Sequence, residues 1–514
     1  LNKSVRIQKN KYYDSVTLML VSKELKKLDG VNEVLVGMAT DLNKELVGNL
    51  GLSNNEIEEL NANDFFITVE WEREENLEEL LLKVEELLNK KDEASDDYSP
   101  ATLSSALKYM DDANLVIISV PGKYAYQEAK KALNKNLHVM LFSDNVKVEE
   151  EKELKEIARD KGLLMMGPDC GTAIINQVPL AFGNVVNKGH IGIVAASGTG
   201  AQEVSVIIDK LGGGISQAIG TGGRDLSKEI GGIMMLQGIK ALTEDEETKV
   251  LLLVSKPPSP EIAEKVLQAA KDGGKPFVVS FIGGSPEVVE KYGGVYGASL
   301  EDAAIKAVEL TGLKAKSMDS NMNLEELLKD QLKLLKPEQK YLRGLYTGGT
   351  LCDEAMKLLS KDIGGIYSNI PLKPQLKLEN LNISKEHTCI DLGDDDFTVG
   401  RPHPMIDPST RQERLLKEAE DPEVAVFLMD FVLGYGSNPD PAGEMVPFIK
   451  RSKEVMMEKG VEALYIASVC GTEKDPQNLR EQEAKLKEAG VIILPSNAKA
   501  VAFSAEILKY QAKR

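Results

Sequence analysis

The chain has 514 residues, too many for one hydrophobic core, so several α/β units are expected. Lys and Arg number 62 against 81 Asp and Glu, a net charge of −19, which argues against nonspecific nucleic-acid binding or attachment to an anionic membrane. Cys170, Cys352, Cys389 and Cys470 lie far apart with no CxxC, so neither a zinc site nor a disulfide framework is indicated and a reducing cytosol fits. No apolar run reaches ~18 residues and no charged-then-apolar leader opens the chain, so neither a membrane span nor export is expected.

In chain order, residues 1–95 read as a small α/β segment: strand "SVRIQK", helix "DSVTLMLVSKELKKL", strands "NEVLVGMAT" and "DFFITVEWE", then the amphipathic "NLEELLLKVEELLNKK". The polar "KDEASDDYSP" closes it. Residues 96–187 form a Rossmann-like series with "NLVIISVPGKYA", "NLHVMLFSDNV" and "GLLMMGPDCGTA" as buried strands. Residues 188–313 make a second sheet from "HIGIVAA", "ISQAIGTGGRDL", "VLLLVSKPPSP" and "PFVVSFIGG". A linker with a surface helix covers 314–339. Residues 340–514 then make a third sheet from "YLRGLY", "HTCIDLGDDD", "VAVFLMDFVLGYGSNPD", "ALYIASVCGTEKD" and "VIILPSN". The expected class is α/β: three consecutive doubly wound open sheets, Rossmann-like and then twice flavodoxin-like, after a small N-terminal segment.

Two strand–glycine–helix turns stand out, "AASGTGAQE" and "YTGGTLCDE". In each, a helix N-terminus aims free N–H groups at the turn, and phosphate or carboxylate is the natural occupant. This makes Ser197, Gly198, Thr199 and Gly200, and Thr347, Gly348, Gly349 and Thr350, candidate anion-binding residues. Thr199 with Gln202, and Thr350 with Asp353, have capping-box spacing. Tight βα turns in any α/β protein would read the same way, and no Walker A motif is present.

Charge partners for an anion are sought at the carboxyl ends of strands. Arg224 in "TGGRD", beside Thr221, Gly222 and Gly223, and Arg401 in "VGRPHP" carry guanidinium forks matched to phosphate or carboxylate. An Arg224–Asp225 pair that merely steadies its own loop is the alternative. Lys256, after Ser255 and the buried strand "VLLLVS" and before "PPSP", emerges at the rim of the second sheet; a solvated surface lysine is the alternative. His403 is fixed between Pro402 and Pro404 and is either a ligand or catalytic contact or a satisfied loop histidine, while His138, His190 and His387 open or line strands and read as structural. The run Asp391–Asp396, "DLGDDD", could hold a divalent cation such as Mg²⁺, but alternating acids after a strand also cap turns, and capping is favoured.

From Asn114 to Leu310 the order "VIISVPGKYA", "GPDCGTAI", "GHIGIVAASGTGAQE", "IGTGGRD", "VLLLVSKPP" resembles the α subunit of succinyl-CoA synthetase, and the third sheet resembles the ligase-type domain of its β subunit. That resemblance implies that Ser197–Thr199 and Thr347–Thr350 are the paired helix N-termini which, in the synthetases, cradle a phosphohistidine. The whole chain resembles the FdrA family through "MGPDCGT", "ASGTG", "GGRDLS", "VSKPP", "LYTGGT", "IDLGDDDFTVGRPHPMIDP" and "GTEKDPQ". Val295 or Tyr296 stands where the synthetases need the histidine, and Ser255 with Lys256 where they place the acid facing it. The stretch 11–22, "KYYDSVTLMLVS", lacks the glycines of a CoA loop, so CoA binding is not expected. The FdrA resemblance implies a subunit of an oxamate carbamoyltransferase of allantoin breakdown, interconverting oxalurate plus phosphate with oxamate plus carbamoyl phosphate. Companion subunits, and self-association, are implied with it. An acyl-CoA synthetase and a non-catalytic anion-binding or assembly subunit are the alternatives. On this reading Lys256, Arg224, Arg401 and His403 are the candidate catalytic groups, phosphate is a substrate, and no cofactor is required.

Overall fold

In a computed structural model the chain divides by its internal contacts into two compact units, Leu1–Ala101 with Phe397–Pro402, and Thr102–Asp396 with His403–Arg514. The structure describes residues 102–318, 323–398 and 401–514 and, before them, 2–9, 11, 13, 15–26, 28, 30–40, 43–44, 47–48, 52, 54–61, 64–71, 77–89 and 100. The acidic stretch 91–99 lies outside these.

The first unit is an antiparallel sheet in the order β1–β3–β2, from β1 (Asn2–Gln8), β2 (Val31–Met38) and β3 (Phe65–Trp71), with helices α1 (Ser15–Lys26) and α2 (Leu77–Asn89). Successive β3 side chains point to opposite faces: Phe65, Ile67 and Val69 pack with Leu18, Val21, Leu25 and Val84, while Phe66 packs with Val47 and Ile57. Cover on both faces explains why "FFITVEW" is apolar almost throughout.

The second unit holds three sheets. β4 (Leu115–Ile118), β5 (His138–Leu141) and β6 (Met165–Met166) run parallel, linked through α3 (Gly122–Asn134) and α4 (Val148–Lys161). The seven-stranded sheet has the order β13–β12–β11–β9–β10–β7–β8. Its parallel strands are β9 (Lys188–Ala196), β10 (Ile215–Gly220), β11 (Val250–Ser255), β12 (Phe277–Phe281) and β13 (Val295–Tyr296). β7 (Thr172–Ile175) and β8 (Val178–Ala181) form a hairpin that adds antiparallel to β10. The sequence had grouped these residues with the preceding sheet. Their turn, Asn176–Gln177, has both residues at positive φ but lacks the Asn-Gly signature that marks a two-residue hairpin.

The third sheet is wholly parallel, β15–β14–β16–β17–β18, from β14 (Tyr341–Tyr346), β15 (Thr388–Asp391), β16 (Val424–Val432), β17 (Leu464–Cys470) and β18 (Ile492–Leu494). Helices α5 (Gly198–Lys210), α6 (Ile233–Glu244), α7 (Pro260–Gly273) and α8 (Leu300–Leu310) serve the second sheet. The third carries α9 (Gly349–Leu359), α10 (Ser409–Glu418), α11 (Pro441–Glu458), α12 (Leu479–Glu488) and α13 (Asn497–Gln511). One apolar core, including Val204, Ile208, Ala304, Leu351, Ala355 and Ile507, joins α5, α8, α9 and α13, so the two large sheets share their interior. Asp475 of "GTEKDPQ" ties them further by accepting from Asn184 Nδ2 (2.8 Å), Val185 N (2.7 Å) and Thr472 N (2.7 Å). In each sheet the strand order reverses beside its first parallel strand, β9 in one and β14 in the other, and the carboxyl ends at such a reversal are where open α/β sheets place ligands. Among the described residues no helix is long and apolar enough to cross a membrane.

Candidate functional site

The two glycine turns meet. Ser197 caps α5, its Oγ accepting from Gly200 N (2.9 Å) and pairing with Thr350 Oγ1 of α9 at 2.6 Å. Gly348 caps α9 through its backbone, and the space of its missing side chain is filled by Thr199, 2.9 Å from where a Cβ would stand. Neither expected capping box forms. Gln202 is buried and spends its amide N–H groups on Asn184 Oδ1 and Leu433 O, while Thr350 lies inside the first turn of its helix.

The second turn already contains an anion of the chain's own. Buried Asp430 accepts from Thr347 N (2.8 Å), Gly348 N (2.7 Å) and Thr347 Oγ1 (3.0 Å), and Arg411 Nη1 neutralises it at 3.1 Å. The expectation that Thr347 and Gly348 hold an external anion is therefore corrected. The backbone N–H groups of Gly198 and Thr199, and of Gly349, Thr350 and Leu351, have no protein acceptor among the described residues. They are the donors left for a ligand.

Lys256 faces this junction. It leaves β11 next to buried Ser255, which pairs in register with Ala196, one residue before Ser197. A Cβ on Gly349 would stand 3.0 Å from Lys256 Nζ and 2.4 Å from Asp391 Oδ2, so only glycine leaves these two groups their space. Burial pulls the Lys256 ammonium down, but Asp391, Asp353, Asp169 and Asp394 together hold it above its ordinary value. Among the described residues it makes no hydrogen bond and no ion pair. Burial pushes the Asp391 carboxyl up to about 7 and that of Asp353 to about 6, against the pull of Lys256. Asp391 was foreseen only as a turn cap or cation ligand. It does cap, accepting from Gly393 N (2.9 Å), as Asp394 accepts from Asp396 N (3.1 Å). Its second oxygen faces Gly349. Nothing in "DLGDDD" signals this, because the contact joins the end of β15 to the turn after its neighbour β14, some forty residues earlier in the chain.

The other expected residues sit differently. Thr221 is fully buried and its N–H donates to Ala195 O (2.8 Å), so it is a brace rather than a binding group. Gly222, at φ 87°, lies where a Cβ would strike Pro168 O. Gly223 approaches Asp169, whose Oδ2 would be 3.3 Å from its Cβ. Arg224 does not pair with Asp225; it reaches Glu151 (2.9 Å) and Val146 O (2.8 Å). Asp225 instead meets buried Lys155 at 2.9 Å, and Lys155 also donates to Thr221 O (2.9 Å), a network from α4 that the sequence did not reveal. Arg401 falls in the segment that groups with the first unit, where its N–H donates to Thr398 O (3.1 Å).

His403 packs on Phe182, with ring centroids 5.7 Å apart. Its Nδ1 accepts from Met405 N (3.2 Å), which leaves the proton on Nε2, beside Gly393. Burial lowers its pKa to about 4. It is thus a neutral donor at physiological pH. His138 and His387 accept from Leu164 N (2.9 Å) and Leu342 N (3.3 Å), and His190 Nδ1 lies 2.9 Å from Glu247 O. All four cysteines are buried and unpaired. Among the described residues no group of three His, Cys, Asp or Glu side chains is arranged to hold a metal.

Comparison with known proteins places these features in context. Family profiles match as a heavy metal-associated domain of AllF at residues 1–102, a CoA binding domain at 186–283 and a CoA-ligase at 345–507. Residues 1–102 contain neither cysteine nor histidine, so thiolate and imidazole metal ligands are missing from the segment. The glycine-free stretch 11–22 lies in this unit, so it carries no argument about CoA. The chain is 49% identical to the uncharacterized protein YahF of Escherichia coli over 96% of both. It is 26% identical to a succinate–CoA ligase [ADP-forming] α subunit of Archaeoglobus fulgidus over 40% of this chain and 72% of that one. An acetyl-coenzyme A synthetase from Ca. Korarchaeum cryptofilum, solved with phosphate and ADP, aligns over 82% of this chain and 87% of that one at 14% identity and a TM-score of 0.31.

Proposed function

The chain belongs to the family of YahF, with CoA-binding and CoA-ligase-type domains, and from this and the junction of its two glycine turns we propose that it is the phosphate-using subunit of a carbamoyltransferase. The reaction is the interconversion of oxalurate plus phosphate with oxamate plus carbamoyl phosphate, in allantoin breakdown. The observation that carries this reading is the placing of Lys256 beside the meeting helix N-termini, with no histidine at the position where the resembling synthetases carry theirs. β13 presents Val295 and Tyr296, and the His403 imidazole is oriented as an N–H donor. The match to a domain of AllF and the resemblance to the FdrA family support the pathway.

In this reading the phosphate and the developing oxyanion lie against the free N–H groups of Gly198, Thr199, Gly349 and Thr350, with Lys256 as the cationic donor. His403 adds a neutral donor on the Gly393 side. Arg224 contributes charge from a farther loop, acting on Asp169. The protein works with companion subunits. An acyl-CoA ligase is the second reading, favoured by the CoA-binding profile over 186–283. Protein alone and combined with the products of neighbouring genes should form carbamoyl phosphate from oxalurate and phosphate; CoA- and ATP-dependent thioester formation without it would select the ligase.

A further inference from the structure

The junction of the two turns contains an acid that the charge-stabilising roles do not use. Asp391 ends β15 beside Tyr346, the residue before the second turn, and is 4% exposed. Its backbone is clamped by Asn369, whose Nδ2 donates to Asp391 O and whose Oδ1 accepts from Asp391 N, both at 3.0 Å. Oδ1 is occupied by Gly393 N, while Oδ2 has no hydrogen-bond partner among the described residues and points into the gap left by Gly349, which Lys256 Nζ also borders. A carboxyl on a doubly clamped backbone, with one oxygen held by Gly393 N and the other open toward a lysine and a helix N-terminus, is placed to exchange a proton with a bound molecule.

Resting on the carbamoyltransferase reading, we propose that Asp391 is the catalytic acid that protonates the leaving nitrogen. A phosphate oxygen bonds to the carbamoyl carbon, the carbon–nitrogen bond breaks, and its electron pair goes to nitrogen, which takes the proton from Asp391 Oδ2. The proton lost by hydrogenphosphate restores the acid, so the net transfer is from phosphate to oxamate nitrogen and the charges balance. Lys256 steadies the transient carboxylate.

Three groups face Asp391: Lys256 from the loop after β11, Asp353 from α9 and Asp394 from its own loop. Burial first, and then the two acids, keep its proton on up to about pH 7, whereas Lys256 and the Gly393 N–H oppose them. The acid form is the active one, so kcat should fall as pH rises through about 7.

The test uses the assembled enzyme with oxalurate and phosphate. Asp391→Asn, which keeps an acceptor for Gly393 N, should lower kcat by ~10² or more with KM changed less than about threefold, and should lose the alkaline limb. Asp391→Glu should recover about tenfold and regain the limb. A limb that persists in Asp391→Asn would belong to phosphate and overturn the assignment, as would an Asp391→Glu enzyme no faster than Asp391→Asn. Wild-type assembly that makes no carbamoyl phosphate would instead remove the carbamoyltransferase reading, and the acid's role with it.

Discussion

Ser197–Gly200 and Thr347–Thr350 read alike in sequence, each a strand, a glycine turn and a helix, yet they have different occupants. In the first, Ser197 satisfies Gly200 and leaves the N–H groups of Gly198 and Thr199 open. In the second, Asp430, 83 residues away, fills the turn with its carboxylate and is itself held by Arg411. A helix N-terminus needs a negative partner, but the pattern does not say whether that partner is a ligand or the chain itself. Only the open donors of both turns, gathered around Gly349, can serve a substrate.

The most disruptive way to break this comparison is to remove the built-in anion. Asp430→Ala leaves Arg411, 2% exposed, without its counter-charge, and should cost about 3–5 kcal/mol in denaturant unfolding. Stability unchanged in this variant would mean that the second turn does not depend on Asp430.

Next comes a pair of glycines. Gly349→Val must displace Asp391 or Lys256 and should abolish turnover beyond ~10². Gly198→Ala, whose Cβ would sit 3.7 Å from Gly171 Cα in ordinary contact, should change stability by less than about 0.5 kcal/mol. Equal activity loss in both would show that the turns contribute in the same way.

Lys256→Met then sharpens the reading of the open donors. Turnover should fall by ~10², as for loss of one oxyanion donor, while the melting temperature barely moves. The same substitution removes the charge that holds the Asp391 carboxyl down, so the remaining activity should extend to higher pH. Wild-type kinetics would remove Lys256 from the charge role and leave Arg224 as the candidate.

The smallest effect concerns the joint between the two large sheets. Glu354 of α9 accepts from Leu300 N and Asn497 Nδ2, both at 2.7 Å, and its burial raises its pKa from 4.5 to about 7. The folded state therefore keeps a proton that the unfolded chain gives up. This contribution is complete below pH 4.5 and is lost as pH rises through about 7. The melting temperature of Glu354→Gln, followed across that window, should show a shallower decline than that of the wild type.

Much of the fold was legible because burial on both faces leaves its mark on single strands. "VLLLVS" and "VAVFLMDFV" are apolar runs of strand length, and they became β11 and β16. The hairpin at 172–181 was misplaced because register and sheet membership depend on partners far along the chain, here β10. Lys256 was legible as the rim of a sheet, from its place between a buried strand and "PPSP". Asp391 was not, since its acidic run caps turns equally well and its open oxygen gains meaning only beside Gly349.

The sequence by itself therefore determined the local elements: strand and helix periods and the glycine turns. Those depend on residues a few positions apart, whose spacing fixes which side chains share a face. The tertiary structure alone decided what fills each turn, which carboxyls keep a proton and which cation stands next to them. These outcomes depend on distances and burial among groups brought together from separate sheets, and electrostatic energies follow those distances rather than positions along the chain.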